Sequence, residues 1–112
     1  MQRDYFQKYL LFLRVKLTEH IMYYILFYKT VGDYLERRGQ YREEHLKLVT
    51  NAFDQGILVM AGAFSEPADG AALIFKGDSP ADAENFAKND IYTKNGLIEN
   101  WYIRPWTVVI GG

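Results

Sequence analysis

The chain has 112 residues, is 49% hydrophobic and 16% aromatic, carries a net charge of −1 and contains no cysteine. That is enough apolar chain for one domain with a packed core, which argues against disorder. The near-neutral charge removes the electrostatic case for nucleic acid or an anionic membrane surface as partner. The lack of cysteine removes disulfides, thiol nucleophiles and cysteine-based metal sites, and fits a cytoplasmic location.

At the N-terminus, the longest apolar run before residue 22 is Leu10 to Leu13, with Arg14 and Lys16 close behind. It is too short to span a membrane and has no small-residue cleavage site after it. Residues 1–21 therefore read as an N-terminal extension, such as an over-called start would leave, and residues 22–112 as the domain. Met22 to Thr30, MYYILFYKT, is aromatic and β-favouring and reads as a strand. Val31 to Gln40 is polar with two glycines and reads as a connector. Tyr41 to Gln55 has helical periodicity, and Gly56 is its natural stop.

Ile57 to Phe64 is a second predicted strand, Ser65 to Gly70 a turn, and Ala71 to Lys76 a third strand. Ser79 and Pro80 then signal a helix start, with the helix running to about Lys88. Leu97 to Ile110 is strand-like, and Pro105 is expected to break it in two. The order βαββαβ predicts an α+β, ferredoxin-like fold: an antiparallel sheet with two helices on one face. Yet Ile57, Val59 and Ala61, and also Leu58, Met60 and Phe64, make both faces of the second strand apolar. Strands covered on both faces read this way. The uncovered face is expected to pack against a second copy, as a homodimer through sheet faces; the alternative cover is the N-terminal extension.

Each predicted helix carries one ionisable residue on its apolar side. On the first it is His45, amid Leu46, Leu48, Val49, Ala52 and Phe53; on the second it is Asp90, in line with Ala83 and Phe86. The fold sets the two helices antiparallel, so the start of the first and the end of the second share an edge of the sheet, together with Ser65 to Gly70. Paired, the aspartate fixes the histidine tautomer and frees the other ring nitrogen as a general acid or base. A core histidine and a capping aspartate remain the structural alternative. One histidine and one aspartate fall short of a metal's usual ligand set, so no metal is expected. Arg37, Arg38 and Arg42 precede His45 and suit an anionic ligand, Arg42 best of the three, or form a solvated face. Trp101, Tyr102 and Trp106 read as interface or core. Gly62 and Gly70 read as turn or packing glycines and form no phosphate-binding fingerprint, and no cofactor is expected.

The segments DYLERRGQYREEHLKLV, AGAFSEPADGAALIF, FAKNDIYTKNGL and WYIRPWTVV resemble, in order, those of the YciI-like (YCII-related) family. The resemblance covers nearly all of residues 22–112. It implies a dimeric α/β barrel whose His–Asp pair, here His45 and Asp90, forms a proposed active site. The family usually has Asp-Pro-Tyr where this chain has Asp90-Ile91-Tyr92, which raises the question of how the carboxylate is oriented. One branch is similar to a dehydrochlorinase acting on a chlorinated hydroxyhydroquinone, and related barrels include lactone isomerases and ring-handling monooxygenases. The resulting expectation is a cofactor-independent acid–base enzyme for a small aromatic-derived or lactone-like molecule. His45 and Asp90 would be catalytic, and Arg42 and Ser65 would contact substrate. The competing expectation is a non-catalytic ligand-binding or accessory module.

Overall fold

The computed structural model describes residues 21–112; the expectation for residues 1–21 otherwise lies outside them. Strand β1 spans Met22–Thr30, β2 Leu58–Ala63, β3 Gly70–Gly77 and β4 Ile98–Trp106. Helix α1 spans Tyr34–Arg37 and is followed by a 3-10 turn, Arg38–Gln40. Helix α2 spans Arg42–Asp54, α3 Ala81–Asn89 and α4 Ile91–Lys94. The four strands form one antiparallel sheet in the order β2-β3-β1-β4. This is the ferredoxin-like α+β arrangement predicted from the sequence.

The period-2 geometry of β1 turns Tyr24, Leu26, Tyr28 and Thr30 towards the helices, and all four are buried. They join Leu58, Leu73 and Phe75 from the neighbouring strands and Ala52, Ala83, Phe86 and Ala87 from α2 and α3 in one core. Phe75 and Phe86 meet edge to face at 5.4 Å. Ala83, Phe86 and Ala87 lie three and one residues apart, the spacing of a narrow apolar stripe on α3. On α2 the stripe is looser: Ala52 is buried, Leu48 and Val49 half-buried, while Leu46 and Phe53 sit at its exposed flanks. Gly70 permits the close approach of β3 to β1. A Cβ there would stand 2.3 Å from the Tyr28 carbonyl oxygen, which no side chain could tolerate.

Two local expectations are corrected. The connector is not irregular: Val31 to Gln40 folds into α1 and the 3-10 turn, because Arg37 reaches both Asp33 (3.6 Å) and the carbonyl oxygens of Asn95 (3.0 Å) and Gly96 (3.5 Å). Pro105 does not break the last strand, which runs through it to Trp106. β4 is an edge strand, where a missing N–H can face away from the sheet. A bulge between Lys29 and Thr30 shifts the β1–β4 register beside the end of β1. The residue left without a partner there is Glu99 on β4, while Thr30 keeps the helix-facing alternation of β1.

Candidate functional site

His45 lies in the first turn of α2, and its N–H donates to the Tyr41 carbonyl at 3.0 Å. At the opposite end of α3, Asp90 leaves the helix in extended backbone (φ −63°, ψ 129°) and opens α4 as its N-cap. The antiparallel helices bring these two ends together. His45 Nδ1 is 2.9 Å from Asp90 Oδ1 and 3.0 Å from Oδ2. The Tyr28 hydroxyl, from the end of β1, donates to Oδ2 at 2.8 Å. The Tyr92 backbone N–H donates to Oδ1 at 3.0 Å. Asp90 is fully buried and has three donors, one from a strand and two from helices.

This arrangement assigns the histidine tautomer. Asp90 accepts from Nδ1–H, so the neutral ring carries its lone pair on Nε2. The His45 side chain retains 15% of its exposure, and Nε2 has no protein hydrogen bond among the described residues. Tyr92 stacks on the imidazole at 3.9 Å with the rings nearly parallel, and Tyr34 meets Tyr92 edge-on at 5.7 Å. Burial, then the Asp90 charge and hydrogen bond, hold the Tyr28 hydroxyl far above the ordinary tyrosine range, so it remains a donor to Asp90. Burial and the neighbouring Tyr34 push the Tyr92 hydroxyl up to about 12, against the opposing charge of Arg42.

Beside the imidazole lies a cavity of about 270 Å³. Its polar wall includes His45, Arg38, Arg42, Tyr34, Tyr92 and Thr30; its apolar wall comes from α2 and from β2, β3 and β4, with Val49, Leu73 and Ile98 among its members. Arg42 thus stands where the sequence pointed. Ser65 does not line the cavity; the wall on that side is Ala61, Gly62 and Ala63. Arg37 is bound instead to Asp33 and to the end of α4, leaving Arg38 and Arg42 as the cavity's guanidinium groups. Trp101 packs on the core, whereas Tyr102 and Trp106 lie exposed on the helix-free sheet face. Among the described residues, no group of three or more His, Cys, Asp or Glu is placed to hold a metal ion, and no helix is long and apolar enough to cross a membrane.

Sequence reasoning did not single out Tyr28, Thr30, Tyr34 or Tyr92. For Tyr28 and Thr30 a signal existed. Both fall on the helix-facing side of β1 by period 2, at the end that feeds the segment leading to His45. For Tyr92 the signal was its place in the Asp90-Ile91-Tyr92 segment; for Tyr34 there was none, because it stands in a short helix set by tertiary contacts.

A family profile for the YCII-related domain matches residues 22–107. The chain belongs to the YCII-related family. Its fold is similar to that of 5-chloro-2-hydroxyhydroquinone dehydrochlorinase from Burkholderia phenoliruptrix, solved with 2,5-dihydroxybenzoquinone, at TM-score 0.65 and 20% identity over 77% of this chain and 94% of that one. A candidate antibiotic biosynthesis monooxygenase from Bacteroides thetaiotaomicron matches at TM-score 0.55 and 15% identity, over 84% of this chain and 94% of that one. A NIPSNAP family protein from Agrobacterium tumefaciens matches at 0.50 and 17%, over 79% and 92%. At these identities the likeness is one of fold. No curated protein matches the chain in sequence.

The Ile91 departure from the family's Asp-Pro-Tyr pattern has a structural answer. Asp90 already has the extended backbone that a following proline demands. Residue 91 is the first position of α4, where an N–H has no helical partner to lose. Ile91→Pro should therefore fold with unchanged or slightly raised stability, by up to about 1 kcal/mol, read from urea denaturation. A loss of several kcal/mol would show that the Asp90 backbone is held differently.

A second prediction concerns alkaline pH. Above about pH 10, tyrosines of the unfolded chain ionise while Tyr28 and Tyr92 keep their protons in the native state. The unfolded state then binds fewer protons, so stability falls as pH rises; for Tyr92 the fall extends to about pH 12. The urea midpoint should drop more between pH 9 and 11 in the wild type than in Tyr28→Phe, where one of the two groups is gone. Equal drops would remove Tyr28 from the account.

Proposed function

We propose that this cavity is the active site of a small acid–base enzyme, with His45 as the proton-transferring residue and Asp90 as its orienting partner. The observation that carries the reading is the Nδ1–Asp90 pairing at 2.9 Å, which leaves Nε2 beside an open cavity. In the reaction Nε2 takes a proton from a substrate O–H or an activated C–H. The imidazolium that forms is stabilised by the Asp90 carboxylate across the bond already made. Tyr28 and the Tyr92 N–H hold that carboxylate still, so the ring need not reorient as its charge changes. The proton then returns from Nε2 to another atom of the same substrate or to a leaving group.

An aromatic-derived or lactone-like substrate fits the apolar wall and the modest volume. The quinone bound by the structurally similar dehydrochlorinase supports the aromatic choice. Against a panel of hydroxyhydroquinones, their chlorinated forms and small lactones, His45→Ala should lower turnover by about 10²–10⁴-fold at temperatures where the variant remains folded, together with a loss of stability because the buried Asp90 loses a donor. Asp90→Asn should lose turnover and some stability together, because it alters a fully buried group. If wild type turns over nothing in the panel and His45→Ala changes only the melting temperature, the pair is a structural tie.

We also propose that the chain works as a homodimer through the helix-free sheet face. Met60, Phe64, Tyr102 and Trp106 are exposed there by 44–62%, and Phe27 stacks on Tyr102 at 5.0 Å beside them. Soluble surfaces rarely leave so much contiguous apolar area to water. Sedimentation at micromolar concentration should show a dimer, and Tyr102→Asp should shift it to monomer. A monomeric wild type would end this proposal.

A further inference from the structure

Two hydroxyls on the cavity wall lack any hydrogen-bond partner although both residues are more than nine-tenths buried. They are Thr30 Oγ1 and Tyr92 Oη. An unpartnered buried hydroxyl is costly, and native structures rarely keep one without a reason. Both residues line the cavity with these oxygens sealed behind its surface, so the ligand-facing donors are the guanidinium groups. The Tyr92 hydroxyl also feels the charge of Arg42, which places a guanidinium close to it.

The charge on the wall is equally one-sided. Arg38 and Arg42 line the cavity, and neither has a carboxylate partner among the described residues. No aspartate or glutamate lines it. Arg38 lies over the Tyr34 ring at 5.6 Å, which steadies its plane without neutralising it. A guanidinium presents a planar fork of donors that matches the two oxygens of a carboxylate. The rest of the wall includes the aliphatic Leu46, Val49, Leu73 and Ile98. At about 270 Å³ the space falls below the roughly 300–1,000 Å³ of sites that take drug-sized ligands.

We infer that the cavity takes a compact organic monocarboxylate. The carboxylate lies against Arg38 and Arg42, and an apolar body lies on the aliphatic wall near His45 Nε2. The inference deepens the active-site reading and rests on it for the cavity's role, but it names a class of ligand that proton transfer alone does not require. It also gives Arg38 a purpose beside Arg42.

The test is calorimetric titration of the full chain with benzoate and with benzamide, a neutral isostere, at low ionic strength. Benzoate should bind at least about tenfold more tightly, and added salt should erode that preference. Arg38→Met combined with Arg42→Met should abolish the preference with the melting temperature retained, since both residues lie at the cavity's rim. His45→Ala should keep the preference for the carboxylate. Equal binding of the two probes, binding of neither at millimolar concentration, or a preference that survives the double arginine variant would overturn the inference. Carboxylate preference without any turnover strikes the proton-transfer reading alone. Turnover of neutral substrates without that preference strikes this one alone.

Discussion

A carboxylate removed completely from water is the constraint around which this domain is arranged. Asp90 can be buried only because three donors reach it, and each comes from a different part of the chain: a strand-borne phenol, a helix-borne imidazole and the backbone of the next helix. Removing any of these leaves the others around a poorly solvated charge, whose cost in a protein interior runs to several kcal/mol. The pairing of β1 with β3 and β4, the antiparallel setting of α2 and α3, and the short α4 are therefore coupled at one point. A site of this kind forms with the domain or not at all.

The same coupling separates the two nitrogens of His45 by function. Nδ1 belongs to the interior and is committed to Asp90; Nε2 belongs to the cavity. Tyr92 links the two sides. Its backbone N–H binds the carboxylate, its ring stacks on the imidazole, and the same residue lines the cavity. A single residue thus transmits the position of the buried charge to the place where a ligand would lie. Arg37 performs a related task by tying α1 to the end of α4, which holds the segment carrying Tyr34, Arg38 and Arg42 against the rest of the site.

Much of this was legible in the sequence because it followed from periodicity. β1 was read with its observed limits, and the α2 limits to within a residue, since a period of two and a period near 3.6 are visible in Met22–Thr30 and Arg42–Asp54. His45 and Asp90 stood out because each interrupts an apolar stripe, and the fold's helix directions then brought them to one edge. What escaped was set by long-range contact. The short helices α1 and α4 are too brief to show a period, and Arg37 looked like its neighbours until its carbonyl partners 58 and 59 residues away were known. Pro105 was read as a break because its strand's edge position is a property of the sheet order, which one strand's sequence does not display. Phe53 matched the wheel yet stays exposed, because α2 contacts the sheet over a narrower arc than its apolar residues span.

Pro105 also bears on how copies of the chain can meet. A sheet can grow sideways, strand against strand, and growth of that kind has no natural end: each added copy offers a fresh edge to the next. By withdrawing a backbone donor near the end of the strand, Pro105 makes β4 a poorer template for such addition, and the neighbouring Arg104 puts a charge beside the gap. Stacking through the flat side carries no such hazard, since two faces in contact leave no third. The edge proline thereby biases self-association towards assemblies that close.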